Sequence, residues 1–576
     1  MVANPKMLIW MITLASVLIF ASAEAQWQLD GVPVCTAAGA QNQPVAVPSG
    51  SGGLIIVWQD ARANSHIYAQ RLDAAGVPLW SSNGILLSSV VKSQNTPVAV
   101  GDGFGGAFVA WVEPKSGSSG AGDVYAQHVR SDGVLLWGSS GVPLCQAGGY
   151  KFGVAMISDN RRSEVIGQEP GAIVTWQDGR SSGTDADIYA QAVNAAGVVR
   201  WTADGVAVCT AQKYQSPPTL VTDDTGFASS PKGAIITWED KRSSITGDIY
   251  AQRLNSSGVP QWGADGIGVC TNSLSQSSPA LASNLSGSAI IAWYDTRGGG
   301  SDIYAQRVGA GGSWLADGLP VCRASGTQSE IKVIRDGAGG AIIVWYDGRS
   351  LPTLGNIYAQ RVDGTGSMLW TVDGVALCQA TGEQISPTVV ADALGGATVV
   401  WRDLRGGTES DLYVQHVDAA GGVSWAPDGL PLCQAPGNQS EAAAITDGVG
   451  SAIVAWTDTR SGNQDIYANR VAGGVADVGP TGLKNFRLLA PIPNPTSGAV
   501  ALSFELPAPA RVTAQIFSVD GRLIRTLAEG EAFGAGLRTL SWDGRGAAHE
   551  RLFGGIYFER VRAGAESDVR KILIMP

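Results

Sequence analysis

Histidine is scarce in this chain, and its scarcity removes several catalytic designs. The 576 residues include four histidines, with no Ser/His/Asp order, His-Glu-x-x-His run or phosphate-binding loop around them. The sequence therefore predicts no catalytic residue. Paired carboxylates can cleave glycosides without histidine, so an enzyme of that kind stays open as an alternative.

Basic residues are also few. Lys and Arg total 39 against 50 Asp and Glu, which gives a net charge of −11, and charged residues make up 15% of the chain. No basic cluster or Arg-rich arm is present. Nucleic-acid binding needs clustered Lys and Arg to neutralise phosphates, so we expect no nucleic-acid partner.

Long apolar runs are absent after residue 20. The stretch from Met7 to Phe20 is almost entirely apolar, with Lys6 before it and the small residues Ala21 to Ala25 after it. This layout is typical of a secretory signal peptide, here residues 1–25. A retained membrane anchor is the alternative, but the run is short for a span of about 20 residues. We expect a mature chain without a membrane span, secreted or displayed on the outer cell surface.

Paired cysteine motifs are missing as well. There is no Cys-x-x-Cys, and the seven cysteines share one position of an internal repeat, where the second repeat has Ser88: Cys35, Cys145, Cys209, Cys270, Cys322, Cys378 and Cys433. Equivalent positions on packed sheets would lie about 10 Å apart, whereas a disulfide needs Cα atoms within about 7 Å. We therefore predict free, buried cysteines and no metal site.

What the chain does contain is the segment Trp-x-Asp-x-Arg followed by Asp-Ile-Tyr-Ala-Gln-Arg, in eight versions. The first runs from Trp58 to Arg71, and the spacing between versions is 52 to 65 residues. The anchoring tryptophans are Trp58, Trp111, Trp176, Trp238, Trp293, Trp345, Trp401 and Trp456. A fixed period of this length indicates stacked copies of one supersecondary unit.

Each repeat has the pattern of four strands. In the seventh, apolar or alternating stretches at 388–391, 397–401 and 411–417 are separated by turn residues, and a fourth begins at Val423. Four antiparallel strands per ~55 residues, without helical periodicity, are typical of a propeller blade. A β-solenoid is the alternative fold, although its coils are normally much shorter.

The two ends of the repeat region complement each other. The last repeat stops after Val471 and lacks its Trp…Asp-Gly…Cys strand, and residues 27–36 carry that missing piece. We therefore predict an all-β fold: an eight-bladed β-propeller over residues 26–472, closed by an N-terminal strand. Closure of this kind removes exposed sheet edges.

The Asp-x-Arg step is the most repeated charged feature. It occurs in seven repeats, and Glu113 and Lys115 replace it in the second. Such a ring of charges could bind a sugar, an anion or Ca²⁺, but its repetition favours loop capping and loop tethering. A second carboxylate often opens the next strand, as at Asp187, Asp248, Asp302, Asp411 and Asp465. Two acidic residues around one loop could coordinate Ca²⁺, although their spacing varies and no Asp-x-Asp-x-Asp run exists.

A glutamine precedes the first strand of most repeats, on the face that carries the Asp-x-Arg loops. We interpret Tyr150 as its replacement in the third repeat. Because a selective pocket needs distinct groups at one place, the second and third repeats are the predicted ligand site. Its residues are Glu113, Lys115, Tyr150 and Phe152: the two aromatic rings could stack on a sugar, and Glu113 could accept hydroxyl hydrogen bonds. Drift under weak constraint would produce the same pattern.

The last hundred residues form a separate module. It contains Pro491-Ile492-Pro493-Asn494-Pro495, Val519-Asp520-Gly521-Arg522, Ser541-Trp542-Asp543-Gly544-Arg545, Gly554-Gly555-Ile556-Tyr557-Phe558 and Arg570-Lys571-Ile572-Leu573-Ile574. In order and spacing these segments resemble the FlgD-type Ig-like domain and the C-terminal sorting domains of type IX secretion cargo. The resemblance implies a β-sandwich over residues 486–576, after a linker at 473–485. It also implies an export or attachment role with the secretion machinery as partner.

Together these features predict a secreted or cell-surface binding or adhesion protein, without catalytic activity or a required cofactor. A glycan or surface polymer is the expected partner. Two alternatives remain at this point: a secreted glycan-active enzyme that uses carboxylates on the loop face, and a structural surface-layer component.

Overall fold

The protein is all-β in the part of the chain that its computed structural model describes. These are residues 27–574 apart from residues 51, 116–120, 160–169, 182–184, 225–231, 244–245, 285–286, 310, 352–353, 393, 448–450, 472–486, 489–490, 492–495, 497–499, 507–509, 520, 534–535, 548–549, 551 and 564–565. The predicted signal peptide (1–25) and linker (473–485) lie outside the described residues. The chain divides into two compact units, Met1–Gly474 and Val475–Pro576.

The described residues of the first unit form eight four-stranded antiparallel sheets; seven are each built by one repeat, and the eighth combines the last repeat with an N-terminal strand. Sheet 1 contains β2 (Gln41–Pro48), β3 (Leu54–Asp60), β4 (His66–Leu72) and β5 (Ile85–Leu86). Sheet 2 contains β6 (Asn95–Gly101), β7 (Ala107–Pro114), β8 (Gly122–Val129) and β9 (Val142–Cys145). Sheet 3 contains β10 (Lys151–Ser158), β11 (Gly171–Asp178), β12 (Asp187–Asn194) and β13 (Val206–Cys209). Sheet 4 contains β14 (Thr219–Thr222), β15 (Ala234–Asp240), β16 (Asp248–Leu254) and β17 (Ile267–Cys270).

The remaining sheets of this unit follow the same order. Sheet 5 contains β18 (Gln276–Ser283), β19 (Ser288–Asp295), β20 (Asp302–Gly309) and β21 (Leu319–Cys322). Sheet 6 contains β22 (Gln328–Arg335), β23 (Ala341–Leu351), β24 (Leu354–Val362) and β25 (Val375–Cys378). Sheet 7 contains β26 (Gln384–Ala391), β27 (Ala397–Asp403), β28 (Asp411–Val417) and β29 (Leu430–Cys433). Sheet 8 contains β30 (Gln439–Thr446), β31 (Ala452–Asp458) and β32 (Asp465–Val471), and its fourth strand is β1 (Val32–Cys35).

The N-terminal strand closes the last sheet, as the sequence predicts. In β1, Val32 pairs with Ala468 and Pro33 pairs with Tyr467 of β32. The backbone N–H of Trp27 also donates to the side-chain oxygen of Asn469 at 3.1 Å. Residues more than 400 positions apart therefore complete one sheet, and the edge of β32 is covered.

The second strand of each sheet lies in the core because both of its faces are covered. In β27, Val399, Val400 and Trp401 are fully buried, which explains why this stretch is a continuous apolar run and not an alternating one. All eight repeat tryptophans are fully buried in the same way.

The first strands of the eight sheets contact one another in order around a closed ring. Each contacts the first strand of the next sheet, and β30 of sheet 8 contacts β2 of sheet 1. We call the space that these eight first strands surround the axial channel. Each first strand except β14 carries a bulge near its start, for example between Ser329 and Lys332 of β22.

The seven cysteines are free and buried, as predicted. Each ends the fourth strand of its sheet, where it meets the neighbouring sheet. Burial raises the pKa of the Cys322 thiol to about 12, so this thiol is neutral at physiological pH.

The described residues of the second unit form seven strands in two antiparallel sheets. One contains β33 (Arg487–Leu488), β34 (Val500–Leu506) and β37 (Gly536–Trp542); the other contains β36 (Leu523–Phe533), β35 (Ala510–Ser518), β38 (Gly555–Ala563) and β39 (Glu566–Ile574). Trp542 is fully buried, and its ring lies 5.8 Å from that of Tyr557 on the other sheet. Among the described residues of the chain, no helix is long and apolar enough to cross a membrane.

Candidate functional site

Glu113, the predicted acceptor for a ligand hydroxyl, lies inside the protein. It is 2% exposed at the end of β7. Its Oε1 accepts hydrogen bonds from Trp111 Nε1 at 3.2 Å and from Gln94 Nε2 at 3.3 Å. The carboxylate therefore takes the internal role that Asp has in the other repeats, and the expectation that it faces a ligand is corrected.

Lys115 and Tyr150 lie on either side of Ala121. Lys115 donates its backbone N–H to Ala121 at 2.8 Å, and Tyr150 forms a β-bridge with Ala121. However, the Lys115 ammonium is already paired with Asp123, at 2.7 Å. The Tyr150 ring packs where a Cβ on Gly179 would be, at 2.3 Å, so it covers a backbone and does not stand free.

The strand register corrects one residue assignment. Lys151, not Tyr150, replaces the repeat glutamine, because Lys151 pairs with Asp178 as Gln41 pairs with Asp60. The Lys151 ammonium is buried, lies 3.3 Å from Asp178 Oδ1 and donates to the carbonyl of Gly148 at 2.8 Å. Six of the repeat glutamines donate to loop carbonyls, as Gln41 does to Gly39 at 3.0 Å, so their side chains bond within the fold.

Phe152 is the one predicted site residue with a large exposed surface, at 57%. It lies on β10 opposite Gln177. The structure thus brings Lys115 and Tyr150 together but buries Glu113, and neither of the two cavities described below is lined by any of the four residues.

The Asp-x-Arg step holds neighbouring sheets together. In sheet 1, Asp60 is fully buried and accepts from Trp58 Nε1 at 2.9 Å and from Arg62 Nη2 at 2.6 Å. The same guanidinium lies 3.2 Å from the sulfur of Cys35 on sheet 8 and 3.9 Å above the ring of Tyr68. Burial alone would raise the pKa of Asp60, but the hydrogen bonds from Arg62 and Trp58 hold it below its usual value.

Seven of the eight sheet interfaces use this arrangement. The Arg–Cys pairs, with N···S distances of 2.9 to 3.2 Å, are Arg62–Cys35, Arg180–Cys145, Arg242–Cys209, Arg297–Cys270, Arg349–Cys322, Arg405–Cys378 and Arg460–Cys433. The structural interpretation of the Asp-x-Arg ring is therefore confirmed: its charges are bonded to one another and to the fold.

The interface between sheets 1 and 2 is the exception, and three changes occur there together. Ser88 replaces the cysteine, Glu113 the aspartate and Lys115 the arginine. Ser88 and Glu113 are buried, while Lys115 turns away to Asp123. The departure of repeat 2 from the pattern is thus a coordinated change of packing, which explains it without a ligand.

The second ring of carboxylates is also mostly internal. Asp187 and Asp465 accept hydrogen bonds from Ser181 and Ser461, the latter at 2.6 Å. Burial raises the pKa of both carboxyl groups. In the part of the chain that the structure describes, no group of three or more His, Cys, Asp or Glu side chains is placed to hold a metal ion.

One cavity of about 480 Å³ opens into the axial channel along the first strands of sheets 4 to 7. Its lining combines apolar residues with the hydroxyl groups of Thr219, Ser278, Tyr294 and Thr388. Two charged residues complete it, Glu330 and Lys332, both from β22. We call this space the channel cavity.

The charged residues of the channel cavity are held on a rigid strand. Glu330 sits in the bulge of β22 with φ 56°, and its Oε2 accepts the backbone N–H of Ser386 on sheet 7. Tyr294 is fixed by its hydroxyl, which accepts the backbone N–H of Ile331 at 2.9 Å. Lys332 is exposed and makes no ion pair with any described residue. The cavity therefore offers hydroxyls, a carboxylate and an available ammonium.

A second cavity of about 650 Å³ lies among the loops of sheets 5 and 6. It is lined by Gly298, Asp302, Arg323 and Asp373, on the face of the Asp-x-Arg loops. Burial raises the pKa of Asp302, and nearby Arg323 opposes that change. The cavity belongs to the face favoured by sequence reasoning, although not to repeats 2 and 3.

Sequence reasoning missed the channel cavity, although a signal for it exists. Four residues after the repeat glutamine, only the sixth repeat carries a charge, Lys332. The bulges hid this signal, because they shift the alternation of exposed and buried positions along each first strand.

No protein-family model matches the chain, and no curated protein matches it. Solved structures with some similarity include the BP39L lectin from Burkholderia pseudomallei, with 12% identity and a TM-score of 0.43, covering 68% of this chain and 99% of that chain. A second is a Penicillium chrysogenum alpha-L-arabinanase complexed with arabinobiose, with 11% identity and a TM-score of 0.34, covering 77% and 98%. A third is the Hadza microbial sialidase Hz136, with 10% identity and a TM-score of 0.33, covering 77% and 68%. Similarities this weak say nothing about the ligand of this chain.

Proposed function

We propose that this protein is a secreted or surface-displayed carbohydrate-binding protein whose ligand occupies the channel cavity. The observation that carries the proposal is the difference between the repeated and the non-repeated polar groups. The repeated Asp, Arg, Gln and Cys side chains bond within the fold, whereas the polar groups of the channel cavity vary from sheet to sheet and line an open cavity.

The lining of the cavity suits a hydroxyl-rich ligand. Ser and Thr hydroxyls both donate and accept, Glu330 accepts, and Lys332 donates, so a ring of sugar hydroxyls would find partners of both kinds. Leu281, Ile331 and Val333 supply apolar surface between them. Ligand sites commonly combine apolar walls with a few placed polar groups in this way.

The same lining favours binding over hydrolysis. Glycoside cleavage by paired carboxylates needs two of them, roughly 5 to 9.5 Å apart, on either side of the bond. Of the described residues that line the channel cavity, Glu330 alone carries a carboxylate. The glycan-active enzyme therefore has no observation in its favour at this site.

The proposed scaffold is an eight-bladed β-propeller. Eight four-stranded sheets and the closed ring of first-strand contacts support it. A rigid ring of this kind holds side chains from several sheets around one space, and binding residues are commonly held by such scaffolds.

The C-terminal unit is proposed to be an Ig-like export or attachment domain of the FlgD or type IX sorting type. Its two antiparallel sheets and buried Trp542 support a sandwich. Secretion and contact with a secretion machinery follow from the resemblance and from the proposed signal peptide. Attachment through this unit would present the channel cavity outside the cell as an adhesion or binding module.

The test uses two glutamates in equivalent positions of different sheets. Glu441 occupies the bulge of β30 as Glu330 occupies that of β22, and its Oε2 accepts the backbone N–H of Gln43 at 2.8 Å. Glu441 does not line the channel cavity. A panel of neutral oligosaccharides is screened by calorimetry against the full mature chain, and then against Glu330→Gln and Glu441→Gln.

We expect Glu330→Gln to weaken the best neutral ligand about tenfold or more, because it removes a charged hydrogen-bond acceptor. Glu441→Gln should leave the affinity unchanged. Equal affinities for the two variants would show that the ligand binds outside the channel cavity. If no carbohydrate binds at all, the proposed function is wrong. Release of reducing ends on prolonged incubation would restore the enzyme alternative.

A further inference from the structure

We propose that Lys332 makes the channel cavity selective for acidic saccharides, which carry a carboxylate on the sugar. This inference rests on the proposed function, because it specifies the ligand class of the same cavity. It starts from one register position on each first strand, the residue that follows the bulge where a bulge is present.

Lys332 is the one charged residue at that position. Strand pairing shows which eight residues are equivalent. Each pairs with the second-strand residue that lies three positions before the Asp or Glu of its repeat. Lys332, for example, pairs with Val344, three positions before Asp347. The other seven are Val45, Val98, Ala155, Thr219, Ala280, Thr388 and Ala443. A packing requirement satisfied by Val, Ala or Thr in seven sheets does not call for lysine in the eighth.

The charge of Lys332 is available, unlike those of three other cations of the first unit. Lys115 is paired with Asp123 and Lys151 with Asp178. On the same strand, Arg335 lies 3.6 Å from Asp224. Lys332 has no carboxylate within 4.0 Å among the described residues, including Glu330, whose Oε2 accepts from Ser386. An exposed ammonium without a partner, inside a cavity of a chain with net charge −11, is a specific attraction for an anion.

The surroundings indicate which anion. An ammonium donates hydrogen bonds as a compact point charge and suits a single carboxylate. Glu330 lies two residues away and repels a second negative charge on the same sugar, so a sugar with two acidic groups is disfavoured while a hydroxyl would be accepted. Thr388 and Thr219 add neutral partners. One carboxylate with several hydroxyls is the pattern of a uronic or similar acidic sugar.

The experiment compares two oligosaccharides that differ in the carboxylate alone: oligogalacturonate and its carboxyl-reduced counterpart. Affinities are measured by calorimetry on the full mature chain at low and high salt. The variants are Lys332→Gln and, as the matched control on the same strand, Arg335→Gln, whose residue lies outside the cavity lining. Thermal unfolding of each variant confirms that it is folded.

The wild type should bind the acidic oligosaccharide about tenfold or more tightly than the reduced one, and this preference should shrink as salt rises. Lys332→Gln should abolish the preference without weakening the reduced ligand, and Arg335→Gln should keep it. Equal binding of both ligands by the wild type, or a preference that survives in Lys332→Gln, overturns the inference while leaving carbohydrate binding intact. If neither these ligands nor any member of the neutral panel binds, the proposed function fails first.

Discussion

Two rings of side chains run around the first unit, and they differ in how far their residues and bonds repeat from sheet to sheet. The Asp-x-Arg ring repeats with the same bonds at seven of eight interfaces, and its aspartates are fully buried. The first-strand ring varies from Val to Thr to Lys at one position and stays open to the axial channel. Identical bonds repeated around a ring stabilise the fold, whereas the position that differs, Lys332, is where we propose a selective site.

The largest expected effect is on closure of the ring itself. Deleting residues 27–36 removes β1 together with its buried side chains Val34 and Cys35, and it exposes the edge of β32. We expect loss of the cooperative unfolding transition of the first unit and aggregation through the open edge. Circular dichroism melting and light scattering measure both. A deletion variant that melts like the wild type would show that the stability of the first unit does not depend on closure of the ring by β1.

The next prediction compares the stability of the seven sheet interfaces that share the Asp-x-Arg arrangement with that of the interface between sheets 1 and 2. Asp403→Ala leaves the Arg405 guanidinium and the Trp401 N–H without their buried acceptor. We expect the free energy of unfolding to fall by about 3 to 5 kcal/mol. Lys115→Ala removes a lysine whose side chain is 33% exposed but leaves the buried carboxylate of Asp123 without its ion pair, so it should cost less than Asp403→Ala, about 1 to 3 kcal/mol. Urea unfolding of both variants gives the comparison, which breaks down if the two losses are similar.

The second unit contains a buried carboxyl group that, unlike the aspartates of the Asp-x-Arg ring, has no hydrogen-bond partner in the part of the chain that the structure describes. Glu559 on β38 is fully buried, and neither carboxyl oxygen has a hydrogen-bond partner among the described residues. Burial raises its pKa from 4.5 to about 8; Arg570 opposes this change and Asp568 adds to it. Between these values the folded unit holds a proton that the unfolded chain releases. The free energy of unfolding should therefore fall as pH rises through that window, by up to about 1.4 kcal/mol per pH unit.

The pH dependence is tested on the melting transition of residues 475–576 within the full chain. Glu559→Gln should flatten the dependence between pH 5 and about 8, and the exposed Glu529→Gln should leave it as in the wild type. A steep dependence that persists in Glu559→Gln would assign it to other groups.

The smallest expected effect concerns the cysteines. Titration of the denatured, unreduced protein should find about seven free thiols, since all seven cysteines are unpaired. Cys322→Ser places a hydroxyl beside Asp347 and Arg349. It should lower the free energy of unfolding by roughly 1 to 3 kcal/mol at most. A titration near zero or one would show that disulfides form.

Sequence reasoning predicted the periodic features and missed what depends on register. The strand order, the pairing of β1 with β32 and the free cysteines follow from repeated patterns, because each repeat reports on the others. The residues of the candidate site did not follow from these patterns. Glu113 and Lys115 looked distinctive because they break a pattern, yet the structure shows that Ser88 changes with them inside one interface. Lys151 was missed as the replacement of glutamine because a one-residue offset is invisible without strand pairing.

The most direct test of the central claim compares one residue from each ring in the same two assays. Asp403→Asn and Lys332→Gln are measured for urea unfolding and for binding of oligogalacturonate. We expect opposite losses: Asp403→Asn is destabilised and, while folded, keeps its affinity, whereas Lys332→Gln keeps its stability and loses affinity about tenfold or more. A stable Asp403→Asn that has lost binding, together with a Lys332→Gln that binds like the wild type, would contradict the account.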